Sequence, residues 1–303
     1  MDVEDYFQVS GFADRIDVSS WDDRELRVED STRRVLALLR RRNVRGTFFI
    51  LGWVADRCPS LVAEIAAAGH EIGSHGYWHQ LVYDQTPGEF REDLRRSVDA
   101  IGAAGGGRTT CYRAPSFSIT DCSRWAVDVL VEEGFTVDSS VFPVRRGRYG
   151  VPGASATIHR LAGPAGGELW EVPPTVVRVG AGRRGLNLPA AGGGYFRFFP
   201  ESLTAAMQRR AAHGEGRPVI FYIHPWEVDP DQPRLPGTRM NRFRHYLNLN
   251  KTEGRLDRML GRLPFGTLGE VVETHAAANG LSELSFQESA SPPEWVAVGA
   301  GPC

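Results

Sequence analysis

Lysine is almost missing from this 303-residue chain: Lys251 stands alone among 35 basic residues, and arginine supplies the rest. The preference reads as the coding bias of a GC-rich genome rather than as function. A basic surplus is missing as well. Against 37 acidic residues the formal charge is −2, which argues against an electrostatically driven nucleic-acid binder. No apolar run approaches the roughly 18 residues of a membrane-spanning helix. Cysteine is scarce, and Cys58, Cys111, Cys122 and Cys303 lie far apart without metal-type spacing. That argues against a disulfide framework or a zinc–cysteine cluster and points to reduced thiols in a cytoplasmic protein. The acidic start Met1-Asp2-Val3-Glu4-Asp5 lacks the basic and apolar regions of a cleavable secretion signal. No repeat of solenoid length is present. What is there, 42% hydrophobic and 24% charged residues, suits one large α/β domain or two small ones.

Helical and strand-like segments alternate from Ser31 to about residue 140. A helix capped by Ser31 carries Val35, Leu36, Leu38 and Leu39, and Thr47–Leu51 reads as a buried strand. Pro59 opens a helix that stops at Gly69, and His70–His75 forms the next strand. Thr86, Pro87 and Glu89 supply a cap, a first-turn proline and a capping-box acid for a third helix. A strand ending at Arg113, a helix from Asp121 and a strand through Asp138 follow. Such units imply a parallel sheet, open or closed into a barrel, whose reacting groups gather at the C-terminal ends of the strands. The Gly-, Pro- and Arg-rich stretch from Tyr149 to Gly194 reads as long loops with a short hairpin around Leu169–Val172. Pro218–Ile223 predicts a buried strand, residues Asn241–Leu263 a helix, and Thr267 with Glu270 the cap of a last one.

His75 and His79 stand at i and i+4, a spacing that on a helical turn points both rings to one side, as a shared metal requires. Asp2, Glu4 and Asp5 crowd the end of the first strand, Arg113-Ala114-Pro115 ends another, and His224-Pro225 ends the last. Each feature alone is ordinary: a solvated acidic terminus, a surface histidine or arginine. Together, at successive strand ends, they describe a site.

This set resembles the polysaccharide deacetylases of carbohydrate esterase family 4. Their Asp-Asp motif is replaced by Asp2-Val3-Glu4-Asp5; His-x-x-x-His stands as His75–His79, Arg-x-Pro as Arg113–Pro115, and His-Pro as His224-Pro225. Asp138-Ser139-Ser140, Gly192–Arg197 and Arg244-His245-Tyr246 are similar to the exosortase-associated branch, found near exopolysaccharide biosynthesis genes. The resemblance covers roughly residues 1–278.

The resemblance implies an α/β fold, a distorted (β/α)7 barrel of TIM-like type, with a catalytic barrel over 1–240, a helical extension over 241–279 and a flexible tail over 280–303. Only Met1 precedes Asp2, so either the first strand is truncated or the start codon lies upstream. The implied reaction removes N-acetyl groups from amino sugars of a bacterial polysaccharide or its lipid-linked precursor. One divalent ion, zinc above others, would be held by His75, His79 and a carboxylate. Asp2 would be the base, Arg113 its clamp, His224 the proton donor to the amine, and the backbone near Ser116 an oxyanion donor. Strand alternation favours Glu4 as the third ligand, with Asp5 the alternative if the chain turns. Asp138 is the candidate to tune His224. Tyr77, Trp78 and Trp226 adjoin motifs and are expected to floor a sugar groove. Glu227 and Asp229 either bind substrate hydroxyls or face solvent. The Arg-rich 239–262 segment is a solvated face or meets an anionic lipid-linked glycan. Partners are the glycan and exopolysaccharide biosynthesis enzymes. A small cyclic amide or imide as substrate, and an inactive sugar-binding protein, are the other readings.

Overall fold

The computed structural model describes residues 1–180 and 185–279; the tail expected over 280–303 lies outside them. In chain order the elements are β1 (Asp2–Val3), α1 (Val28–Arg42), β2 (Thr47–Ile50), α2 (Gly52–Arg57), α3 (Pro59–Ala67), β3 (Glu71–Ser74), α4 (Pro87–Ala103), β4 (Cys111–Tyr112), α5 (Trp125–Glu132) and β5 (Val137–Asp138). There follow β6 (His159–Ala162), β7 (Glu168–Glu171), β8 (Val176–Val179), β9 (Leu186–Pro189), α6 (Gly193–Phe198), α7 (Glu201–Arg209), α8 (Arg239–Tyr246), α9 (Leu249–Leu260) and α10 (Leu268–Ala278).

A seven-stranded sheet runs β1-β2-β3-β4-β5-β7-β6, parallel throughout except for the antiparallel β6–β7 hairpin at one edge. Helices cover it, giving the mostly parallel, helix-wrapped architecture of a distorted (β/α)7 barrel. Pro218–Ile223 does not become a regular strand. It runs extended beside β1 and meets it through Asp2 N donating to Ile223 O at 3.0 Å; its other edge meets Ala191, Gly193 and Thr175. Its one strand-type pairing is the isolated bridge Gly192–Tyr222.

Three local expectations change. The stretch from Tyr149 to Gly194 holds β6, β7 and the separate β8–β9 ribbon, not only loops. Helix α1 starts at Val28 because its cap comes from Asp5, whose Oδ2 accepts from the backbone N–H of Arg27 (2.8 Å) and Val28 (2.9 Å). The helix expected over Asn241–Leu263 breaks into α8 and α9 at Asn248, which has φ +54. Cys58 and Cys111 are buried free thiols, whereas Cys122 is disulfide-bonded, so the expectation of reduced thiols holds for those two. No helix among the described residues is long and apolar enough to cross a membrane.

Candidate metal centre and catalytic cluster

Every motif residue falls at or just past the C-terminal end of an extended segment. Asp2 and Glu4 sit at the end of β1, His75 follows β3, Arg113 follows β4 and His224 follows residues 218–223. Parallel strands thus deliver these groups to one rim, as the fold class requires.

Glu4, His75 and His79 are buried, and each offers one ligand atom within 4.8 Å of the others. The histidines do not converge on a helical turn, because residues 75–80 are irregular. Their turn is tied to α4 by Asp93, whose carboxylate accepts from Tyr77 N at 2.8 Å and Trp78 N at 3.1 Å. Gly76 makes this possible: it has φ +74, and a Cβ there would lie 2.7 Å from Asp93 Oδ2. His79 itself adopts φ +55, a left-handed conformation costly for a side-chain-bearing residue. The result is His79 Nε2 at 2.6 Å from Glu4 Oε2. His75 Nδ1 donates to Arg113 O at 2.7 Å, which leaves Nε2 as a lone pair facing the cluster. Burial pushes the His75 pKa down to about 4, so the ring is neutral. Although burial would raise Glu4, the adjacent His79 brings it down to about 2. Two imidazoles and a carboxylate are the donor set of a catalytic zinc-type site. The buried Glu4 Oε2 has the His79 ring against it but no aligned hydrogen bond, so the residues fit a divalent ion.

Beside the triad, Asp2 Oδ1 accepts from Arg113 Nη1 at 2.8 Å. Arg113 is fixed in turn by Ser139, donating Nε to its carbonyl at 3.0 Å and Nη2 to its hydroxyl at 2.7 Å. Burial works to raise the Asp2 pKa, but Arg113, His75 and His224 hold it below the usual carboxylate range. His224 Nε2 lies 3.7 Å from Asp2 Oδ2 and 3.8 Å from Glu4 Oε1. Its Nδ1 lies 2.8 Å from Glu227 Oε1, and Glu227 Oε2 accepts from Arg197 Nε at 2.6 Å. Burial would lower the His224 pKa; Glu227, Glu4 and Asp2 outweigh it and raise it to about 9.

Several expected residues stand elsewhere. Asp138 is not the partner of His224: it is a fully buried acceptor from Ser140 Oγ, at 2.5 Å, and interacts with Glu171. The carboxylate at His224 is Glu227, which sequence reasoning had left between substrate and solvent. Its signal was the i, i+3 spacing from His224 within a 3-10 turn, where Glu227 Oε1 also accepts from His224 N at 3.1 Å. Arg197 was missed as well. Asp5 turns away from the triad to cap α1, leaving Glu4 in it. Tyr77 is core, 1% exposed, donating to Asp56 at 2.6 Å beneath Arg96. Trp226 is no groove floor either: it is buried, stacked between His224 and His245 at 5.1 and 4.3 Å, with Nε1 donating to Glu4 Oε1 at 3.1 Å. Trp78 and His79 line a cleft of about 620 Å³ together with Ser10, Arg148 and Asn241. Ser116, at φ +53, donates its hydroxyl to Ser10 at 2.7 Å.

Known proteins resemble the chain in sequence and in fold. Residues 14–131 match the family model "Polysaccharide deacetylase", and residues 139–273 match "Domain of unknown function (DUF3473)". A peptidoglycan-N-acetylglucosamine deacetylase of Bacillus cereus is 28% identical over 120 residues, covering 36% of this chain and 44% of that protein. A peptidoglycan deacetylase of Helicobacter pylori is 29% identical over 108 residues, 36% of each chain. The chain therefore spans less than half the length of these curated relatives. The crystal structure of a "putative polysaccharide deacetylase" from Mycobacterium smegmatis superposes with a TM-score of 0.61 at 21% identity, covering 97% of this chain and 92% of that one. The chain thus carries a polysaccharide deacetylase domain, of the carbohydrate esterase family 4 type, joined to a DUF3473 region.

Proposed function

We propose that the chain is a metal-dependent hydrolase that removes N-acetyl groups from amino sugars of a bacterial polysaccharide or its lipid-linked precursor. The observation that carries this is the convergence of Glu4, His75 and His79 with the two flanking groups Asp2 and His224 at one rim. A divalent ion held by Glu4, His75 and His79 would supply Lewis acidity toward an acetamide carbonyl and toward water.

The chain's own residues would do the rest. Asp2, kept ionised by Arg113, takes the proton of the attacking water. The Arg113 clamp, seated on Ser139, holds that carboxylate in one orientation. His224, on the far side of Asp2 and Glu4, gives a proton to the departing amine, which makes the C–N cleavage productive. Glu227 orients His224 and supports its charged form. The cleft beside His79 admits the sugar, with the half-buried Trp78 as its aromatic wall.

A deacetylation assay on N-acetylhexosamine oligomers, with metal analysis of the same preparation, tests the reading. The expected result is acetate release that a chelator abolishes and added divalent ion restores. Substitution His75→Ala should remove metal and activity together, while Asp2→Asn should keep the metal and lose activity. An active, metal-free His75→Ala protein would refute the mechanism.

A further inference from the structure

Helix α8 is built as the wall of the cleft yet shows its other side to solvent with an unusual mixture of side chains. Asn241 lines the cleft and donates Nδ2 to Gly11 O at 2.6 Å, and His245 is buried against Trp226. On the outer side Met240 and Phe243, one turn apart, are 56% and 54% exposed. Arg239, Arg242 and Arg244 on the same helix are exposed, as is Arg234 just before it. Between Gln232 and Thr252 there is no aspartate or glutamate, while Arg234, Arg239, Arg242, Arg244 and Lys251 all fall in that stretch. The surface ion pairs elsewhere on the molecule, such as Arg33–Glu64 and Arg258–Glu201, have no counterpart on α8 among the described residues.

We infer that α8 is a docking surface for an anionic phospholipid membrane, which seats the cleft over the bilayer surface. Exposed large apolar side chains flanked by arginines, with acidic residues excluded, are the composition of an interfacial helix. The positive charge complements anionic headgroups, and Met240 and Phe243 are long enough to enter the headgroup region. The helix cannot drift from the site it serves, since His245, Trp226 and His224 form a continuous stack. This deepens the proposed function: an amino sugar carried on a membrane lipid would meet the cleft at the depth where α8 holds it.

The test is sedimentation of the full chain with vesicles of phosphatidylcholine alone or mixed with phosphatidylglycerol, at low and high salt. Binding is expected only with phosphatidylglycerol and is expected to weaken with salt. The pair Arg239→Glu and Arg242→Glu should lower affinity by more than tenfold, since each basic residue near such a surface contributes about fivefold. The pair Met240→Ser and Phe243→Ser should lower it by roughly tenfold. Both double variants should deacetylate a soluble oligosaccharide as the parent does. No dependence on phosphatidylglycerol, or parent-like binding by both double variants, would overturn the inference. So would arginine-dependent binding that ignores Met240 and Phe243 and is matched by a soluble anionic polysaccharide, or a parent dimer that the serine variant dissolves. Because vesicle binding needs no turnover, its failure is separable from a failure to release acetate.

Discussion

Replacing Glu227 by glutamine is the sharpest probe of how the proton donor is held. Glu227 is 0% exposed and uses both oxygens, one toward His224 Nδ1 at 2.8 Å and one toward Arg197 Nε at 2.6 Å. Glutamine keeps the volume but has one acceptor, so its amide nitrogen must face a donor on one side or the other. If the remaining oxygen stays with Arg197, His224 loses a charge-assisted hydrogen bond, about 1.5–3 kcal/mol. That corresponds to a kcat lower by roughly ten- to a hundredfold, with KM and bound metal little changed, since Glu227 touches neither substrate nor the triad. Alanine should be worse in a second way. It strands Arg197, 2% exposed, as an uncompensated buried charge, which costs about 3–5 kcal/mol of stability. Steady-state kinetics, metal analysis and thermal unfolding on both variants separate the effects. A glutamine variant with kcat within twofold of the parent would show that His224 needs no carboxylate partner and that the proton-donor assignment is wrong.

The turn that carries both histidines should depend on Asp93: Asp93→Asn removes charge from the acceptor of Tyr77 N and Trp78 N and should weaken metal binding by about 10- to 100-fold without touching a ligand, as a metal titration would read. The buried pair Asp138–Glu171 should make stability fall with rising pH. Burial, with Asp138 beside it, holds the Glu171 pKa well above 4.5, and Asp138 Oδ2 and Glu171 Oε2 have no other partner, so one proton serves both. Unfolding releases that proton at any pH between the ordinary glutamate value and the folded one, and stability then drops by about 1.4 kcal/mol per pH unit. Denaturant titrations from pH 5 to 8 should show this slope in the parent and a flatter one in Glu171→Gln. Equal slopes would mean the pair shares no proton.

What the sequence makes legible depends on how far a group lies from its partner along the chain. Capping boxes are local, and both Thr86–Glu89 and Thr267–Glu270 form as their spacing predicts. The strand ends are legible for the same reason, since a short apolar run followed by a polar residue marks its own boundary. Pairings across the fold are not. Nothing near Val28 announces that Asp5 caps α1, and nothing near Asn241 announces that the helix must break. The break has a physical cause that only the fold supplies. Arg197, buried behind Glu227, donates Nη1 to the carbonyls of His245 and Leu247 at 2.7 and 3.0 Å, and Asn248 returns its Nδ2 to Arg197 O at 2.9 Å. A continuous helix would keep those carbonyls for its own hydrogen bonds. Ending α8 at Tyr246 frees them to hold the arginine that holds Glu227, which holds His224. The helices after residue 238, far from the motifs in sequence, are thereby part of what aims the proton donor. A deacetylase domain cut before α8 should fold poorly around Arg197 and lose its proton donor even with the metal triad intact.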